Sequence, residues 1–509
     1  MNAATRLILA APLVAPGRHL LEASAWAALP AALRQEPELD LLALWAEPGM
    51  IHVAFLAHDD RHELGRGRLL LASTPVPAGR YPALSPARPM AAWFERTIAD
   101  LWGLLAEGGT DGRPWLDHGR WPLARPLSAR PVAQGGEPPQ PVFLPVEGAM
   151  DAEDVFQYPL GPVLPGGNPA HLRAHLRGGT VLRLEARLGY GHKGLFALMH
   201  GKSPRAAARL VARLAGDATV AHAWAFALAA EAATNTPAPP RAALLRAVMA
   251  EAERIGNHLL DWGETCAAAG FGWAQARSLV LRERLLHANE LAFGQRLLLD
   301  RVVPGGVSID IAASGAEAML EALVVIEEEL PAFQSVHETH AGLQDRICAA
   351  AVTPAAAVAL LAAGGVAGRS AGRRFDTRQG APYAPYPSLG FSVPGHATGD
   401  ADARLRLRLQ EIVESLGLIR AALARLEPGP TLVSLPVQAG EGTGMVESHR
   451  GEALHWLTLD EAGLIRACFA RDASWPLWPL LEAAMQGQAV ADLPLCRASL
   501  NPSSHGVDL

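Results

Sequence analysis

Seven prolines lie between residues 122 and 145 (Pro122, Pro126, Pro131, Pro138, Pro139, Pro141 and Pro145), and no regular element can run through such a stretch. Each proline fixes its own φ, removes an amide donor and pushes the residue before it out of the helical region. Residues 123–150 therefore read as an extended linker. They divide the 509 residues into an N-terminal part, 1–122, and a larger part, 151–509. A chain this long exceeds what one hydrophobic core usually holds, so two or three domains are expected.

The two parts differ in periodicity. Residues 1–122 combine strand-like runs, Ile51 to Leu56 and Leu69 to Leu71, with one helical segment after the turn Pro86 to Pro89. In that segment Trp93, Phe94, Ile98, Leu101 and Trp102 recur at helical spacing, and Gly103 ends it. The run from Arg6 to Val14 predicts a first β-strand, because a single charge and Pro12 make a poor signal peptide. In the larger part, Phe156 to Gly191 reads as a small β-element, with turns at Gly161-Pro162 and Pro165-Gly166-Gly167 and alternation over Thr180 to Ala186. From about residue 192 onward, apolar residues recur every three or four positions over 206–233, 241–266, 273–299, 317–329 and 400–426. The fold class is α+β: a small α/β N-terminal domain, then a large, mainly α-helical domain with a small β-sheet at its start.

Composition narrows the functions open to such a chain. The net charge is −7, so the basic footprint that nucleic acid requires is absent. Half the residues are apolar and only 19% are charged, which points to extensive buried subunit contacts. Cys266, Cys348, Cys468 and Cys496 are scattered, with neither the spacing of a metal site nor that of a disulfide framework, as in a reduced, cytoplasmic protein. The uncharged stretch Ala349 to Gly368 is broken by Pro354 and three glycines, so it reads as a buried helix and loop rather than a membrane span. Any work at a membrane is then done through partners.

Four polar groupings stand out. Glu251, Arg254 and His258 share one helical face, either as an ion pair with a satisfied polar contact or as a functional cluster. Asp400, Arg404 and Arg408 repeat the spacing and read as structural pairing. Gly440 to Glu452 intersperses four glycines with Glu441, Glu447, His449, Arg450 and Glu452, a glycine-rich turn where backbone can approach a ligand closely. Arg369, Arg373, Arg374, Asp376 and Arg378 form the fourth, followed by Pro382-Tyr383-Ala384-Pro385-Tyr386.

Read in order, Leu188 to Gly194, Glu251-x-x-Arg254-x-x-x-His258-Leu259, Asp300 to Val307, Asp376-Thr377-Arg378 with Pro382-Tyr383, Gly399-Asp400 with Arg404 to Glu411, Glu447 to Glu452, and Asp492 to Leu495 resemble one family. It is the large-subunit line shared by respiratory complex I, in its 49-kDa-type subunit, and the group 4 membrane-bound nickel–iron hydrogenases. The resemblance covers about 155 to 509. Phe94-Glu95-Arg96 and Asp100 to Gly103 resemble, more weakly, the neighbouring 30-kDa-type subunit. Fusion in this order resembles the energy-converting hydrogenase-related branch.

The same resemblance marks what is missing. Arg213 to His222 matches Arg-x-Cys-Gly-x-Cys-x-x-x-His with Ala215 and Ala218 at the cysteine positions, and Ser499 to Leu509 matches Ser-Φ-Asp-Pro-Cys-x-x-Cys-Thr-Asp with Ser503 and Gly506 there. A nickel–iron centre needs four soft thiolates, so the resemblance implies a chain with no metal of its own. Arg450 falls where hydrogenases place an Arg over the metals, and Asn501 where they carry an Asp. Complex I chains carry a His where Leu164 stands and a Tyr near Ala215, yet this sequence has no Tyr between Tyr190 and Tyr383. A quinone therefore loses its two usual contacts, with His222, His171 and His175 open as substitutes. The residues expected to line the former active site are His192, His222, Arg450, Glu447 and Asp400.

The resemblance implies the large subunit of a complex I-like, NADH:quinone oxidoreductase- or hydrogenase-related complex that couples electron transfer to ion translocation. The alternative is a structural, coupling subunit of that complex without chemistry of its own; a third reading, an active hydrogenase, runs against the ligand requirement. An iron–sulfur cluster is implied in a partner small subunit, with antiporter-like membrane subunits as further partners. A quinone is the ligand the resemblance leaves open. The expected location is cytoplasmic, peripheral on the inner face of the cell membrane.

Overall fold

The computed structural model describes residues 3–59, 66–144, 146, 154–164 and 169–509. The turn expected at Pro165-Gly166-Gly167 lies outside them. The chain opens with a helix, α1 (Ala3–Leu9), where a strand was expected; β1 (Leu13–Ala15) begins only after Pro12. Ala4 and Ile8 are buried on one side of that helix, a four-residue spacing too short to tell a single helical face from a plain apolar run. With β2 (Arg18–Leu20), β3 (Leu39–Glu47), β4 (Met50–Asp59) and β5 (Arg66–Pro75), β1 forms a five-stranded sheet in the order β1-β2-β5-β4-β3. The β2–β5 pair is parallel and the rest are antiparallel. Two helices, α2 (Ala23–Arg34) and α3 (Ala91–Trp102), accompany the sheet, and Gly103 closes α3 in the left-handed conformation that glycine adopts at least cost.

Strand β3 is buried along its whole length, which a sheet with one solvent face would not allow. What covers its far face comes from the other end of the chain. A three-stranded antiparallel sheet, formed by Gly440–Ser448, Gly451–Leu459 and Ile465–Arg471, lies against it. There Trp45 stacks on Phe469 at 4.9 Å, Phe94 stacks on Trp475 at 4.4 Å, and His52 meets Trp456 at 4.8 Å. Arg18 reaches across in a bidentate pair with Glu441 at 2.6 and 2.7 Å. One continuous apolar core thus joins the N-terminal part to the C-terminal sheet.

The proline-rich segment does not stand off as a spacer. Trp121 stacks on His192 at 4.6 Å, Leu127 packs against the shared core, and the Leu144 amide donates to Glu185 at 2.9 Å. Beyond it, β6 (Val155–Leu160), β7 (His171–Arg177) and β8 (Thr180–Arg187) make the expected small antiparallel sheet.

The helical layer is built round one long helix. In chain order it comprises α4 (Pro204–Val211), α5 (Thr219–Ala233), α6 (Pro240–Ala268), α7 (Gly272–Phe293), α8 (Ala313–Thr339) and α9 (Ala401–Ala424). Helix α6 packs on α7, α9 and the late helix α10 (Leu493–Leu500), and α8 closes over α7 and α9. A second core fills the space between them. The stretch 349–368 is two short helices, Ala355–Leu361 and Gly365–Ser370, and no described helix is long and apolar enough to cross a membrane.

The glycine-rich segment is a strand, not a turn. In Gly440–Ser448, now β9, Gly440, Gly442 and Gly444 point at one face, since side chains alternate along a strand. That face lies on α5. A Cβ on each glycine would overlap the carbonyl oxygens of Ala233, Ala229 and Ala225 in turn. The glycines serve the approach of a helix, not that of a ligand.

Candidate functional site

A continuous helix was expected over 206–233. It breaks at 212–218, which is the segment carrying Ala215 and Ala218. Thr219 Oγ1 closes the break on the Ala212 carbonyl at 2.7 Å, and Glu253 of α6 accepts the Val220 and Ala221 amides at 2.7 and 3.1 Å, satisfying the open N-terminus of α5. Both alanines are buried. The C-terminal tail is brought to the same place by its own bonds. Asn501, at φ 44°, ends α10 and donates to Asp261 at 2.6 Å. Ser503 donates its amide to Ser474 and accepts from the Trp478 indole at 3.2 Å. The Asp508 carboxylate accepts the amides of Gly189 and Gly191 at 2.7 and 2.6 Å, His192 Nδ1 bonds the Asp508 carbonyl at 2.6 Å, and Lys193 Nζ donates to the Leu214 carbonyl at 2.8 Å. Loop 189–193 is therefore the clasp between tail and broken helix.

Between these two segments lie Asp472, His222, His455 and Arg450. His222 Nε2 is 2.8 Å from Asp472 Oδ2, and its Nδ1 is 3.0 Å from His455 Nε2, making a fully buried Asp–His–His row. Arg450 donates from Nε to the Asn501 carbonyl at 2.6 Å and from its terminal nitrogen to Asp217, which sits between the two alanine positions. Gly506 faces the row. A Cβ there would come within 2.6 Å of Asp472 Cβ and 2.7 Å of its Oδ2.

The expected site residues separate into four groups. His222 and Arg450 lie between the two segments that carry Ala215, Ala218, Ser503 and Gly506. His192 serves the clasp. Glu447 sits just above, in an ionic network that also holds the Glu251 face: Glu251 bonds Arg254 at 3.1 Å, Arg378 at 3.0 Å and Ser415 at 2.7 Å; Glu411 bonds His258 at 2.8 Å and Arg369 at 2.5 Å; and Arg369 bonds Glu447 at 2.8 Å. A separate set of pairs is made by Arg373, with Glu452 at 2.6 Å and with Asp40 of the N-terminal sheet at 3.0 Å. Asp400 stands apart, and its expected pairing with Arg404 is replaced. Its carboxylate caps α9 at the Ala403 amide, 2.9 Å, and also takes the Ala349 amide. Arg404 instead donates to Ser499 and to the carbonyls of Gly399 and Ala351, and Arg408 to Asp261 and the Ser499 carbonyl. Asp472, His455, Asp217 and Asp261 were not foreseen, because no spacing links them in sequence to the residues they touch.

Electrostatics set the site's resting charge. Burial pushes the Asp472 carboxyl up, but the His222 bond and charge, with Arg450, more than offset it and hold the carboxyl well below its usual range. Burial, reinforced by His222, keeps His455 well below the ordinary histidine value. Burial lifts Asp508 to about 6 despite its two amide donors, and burial with the nearby Asp376 charge raises Glu447.

The donors present do not fit a nickel–iron centre. Two positions are methyl groups, one is a neutral hydroxyl, and the fourth is a glycine whose side-chain direction is taken by Asp472. Among the described residues, no three His, Cys, Asp or Glu side chains converge as a metal ion would require. The candidate substitutes for quinone contacts are also dispersed: His171 and His175 lie on β7, while His222 is committed to the buried row.

Two family models match the chain: "Nickel-dependent hydrogenase" over 193–268 and "Respiratory-chain NADH dehydrogenase, 49 Kd subunit" over 276–436. Hydrogenase-4 component G of Escherichia coli is 28% identical over 83% of this chain and 74% of its own length. That is more of the chain than 151–509 could supply, so the match enters the N-terminal part. The membrane-bound hydrogenase subunit alpha of Pyrococcus furiosus is 27% identical over 68% of this chain and 85% of its own. An NADH-quinone oxidoreductase subunit of Saccharopolyspora erythraea is 26% identical over 67% of this chain and 88% of its own. Over these successive stretches the chain is similar to the large-subunit line that nickel-dependent hydrogenases share with the 49 Kd subunit of respiratory-chain NADH dehydrogenase.

Proposed function

We propose that this protein is the large subunit of a membrane-associated, complex I-like and hydrogenase-related oxidoreductase assembly that couples electron transfer to ion translocation, with no nickel–iron centre of its own. The observation that carries this reading is the state of the former metal position. All four ligand residues are gone, yet the tail, the broken helix, Arg450 and the clasp still meet there. The partners are an iron–sulfur small subunit, which holds the cluster and supplies electrons, and antiporter-like membrane subunits, which hold the chain on the cytoplasmic face of the membrane.

A specific observation favours the coupling version of this role over one in which the chain lines a ligand site. Asp472 fills the space against Gly506 and the Arg450 guanidinium grips Asp217, while Arg373 separately ties Glu452 of the C-terminal sheet to Asp40 of the N-terminal sheet. In this version the segment braces the joint between its neighbours and binds no acceptor.

The test is purification of the intact assembly through a tag on this chain. Membrane subunits and a cluster-bearing small subunit should accompany it, with nickel well below one atom per chain; stoichiometric nickel, or a chain that purifies alone, sinks the proposal. Arg450→Ala should reduce the amount of assembled complex more than the turnover of each complex. The reverse pattern would favour a ligand-lining role.

A further inference from the structure

We propose that a small polar pocket beside Asp217 is a proton inlet: Glu253 exchanges a proton with solvent there and passes it, through held water, to the Asp217 carboxylate that grips Arg450. The pocket measures about 30 Å³ and is lined by Asp217, Glu253, Asn257, Arg282, Asn289 and Arg296. One water needs about 10–15 Å³ of such space and two to four polar partners. The partners are present. Asn289 is 1% exposed, its Nδ2 donates to the Arg296 carbonyl at 3.1 Å, and its Oδ1 makes no hydrogen bond among the described residues. Asp217 Oδ1 and Arg282 Nε are buried and unpaired in the same sense. Two acceptors and one donor around a space of this size would each carry a desolvation cost if dry, and a held water has the two donors and the acceptor that such a set requires.

Glu253 is placed to use that water. Its carboxylate is pinned by the Val220 and Ala221 amides, so it faces the pocket from a fixed point on α6. Exposed Gly216 and Leu297, also lining the pocket, lie at its mouth. The charged groups around the carboxyl are Asp217 from the broken helix, Arg254 from α6, and Arg282 and Arg296 across the pocket from α7 and its C-terminal extension. Burial raises the carboxyl to about 8, helped by Asp217 and opposed by the two amides and Arg254. A group in that range changes protonation near neutrality. In the transfer, the Glu253 carboxyl gives its proton to the water, the water gives one of its own to Asp217, and the Glu253 carboxylate left behind takes a proton from solvent at the mouth. Proton access by this route is independent of which version of the function holds.

The test is infrared difference spectroscopy on the full chain. A protonated-carboxyl band should titrate above pH 7, vanish in Glu253→Gln and shift rapidly on exchange into D₂O. A Cβ on Gly256, which lines the same pocket, would meet only Leu285 at 3.9 Å. Gly256→Val should therefore fold normally, fill the water's place and slow that exchange by about tenfold or more. A band that survives Glu253→Gln, the absence of any carboxyl titrating above pH 7, or an exchange rate unchanged by the plug would each overturn the proposal. The plug reads exchange without altering Glu253, so failure of Glu253→Gln to fold leaves the decision intact.

Discussion

Position 506 and the Asp472 carboxylate compete for the same space, so a cysteine cannot be returned there without a second change. Gly506→Cys alone should destabilise the protein by about 1–3 kcal/mol, as overpacking of a close-packed interior does. Asp472→Gly in the same chain should recover part of that loss, and urea unfolding of both single variants and the double variant would measure the coupling. The row also sets a direction for acid stability. His455 is held neutral in the fold, while in the unfolded chain it takes up a proton near its ordinary value of 6.5. Its contribution is thus complete above 6.5 and declines as pH falls below it. Asp472, depressed in the fold from an ordinary 3.8, adds a second loss as pH falls below that value. Unfolding midpoints should drop from pH 7.5 to pH 5, and His455→Gln should flatten the upper part of that slope. Part of this region was legible beforehand: Arg450 bridges the two motif segments, through Asp217 and the Asn501 carbonyl. Asp472 was not legible, since a lone Asp at a strand end has no periodicity to announce what it faces.

Among the elements, the joint between α5 and β9 depends most on what is absent from side chains. Gly442→Ala would drive a methyl into the Ala229 carbonyl. It should cost about 3 kcal/mol or more, because backbone on both sides resists displacement. Gly417 on exposed α9 surface offers a contrast, with open space around it; Gly417→Ala should stabilise by up to about 1 kcal/mol through helix propensity. Thermal unfolding of the two variants would separate the effects. Both halves of this joint were printed in the sequence, as Gly-x-Gly-x-Gly at 440–444 and as alanines every fourth residue at 225, 229 and 233. Their pairing was not, because each repeat specifies a smooth face without naming the partner. The helices α6 to α9, in contrast, were readable because each has a polar face or a long apolar period of its own. Glu251, Arg254 and His258 fell on one face as their spacing required, and the buried charges found partners because unpaired ones would be too costly.

At the scale of the whole molecule, the described residues form two cores, but their boundary is not the proline-rich run. The N-terminal sheet shares its apolar face with the C-terminal sheet through Trp45, Trp456 and Phe469. Calorimetry should therefore find no early transition belonging to the N-terminal part. Trp45→Ala, at a cost of about 3–5 kcal/mol for a buried aromatic, should lower the shared transition rather than split it. Composition could identify the run as unable to form long elements, and the described part of it holds only the two-residue pair of Leu123–Ala124 with Val132–Ala133. It could not reveal that Trp121 and Leu127 lie down on the body, because contacts between segments dozens of residues apart leave no local mark.

That closed seam has a bearing on how an assembly keeps count. Where two neighbouring subunits meet across a separable interface, cells must balance their synthesis, and either can be lost, exchanged or replaced during a complex's life. Here the contact is made of stacked aromatic rings inside one polypeptide, so every copy arrives with its neighbour attached and in register. The ratio is one to one by construction. Whatever docks on the combined surface meets both halves at once, and no pool of either half exists to compete for its place.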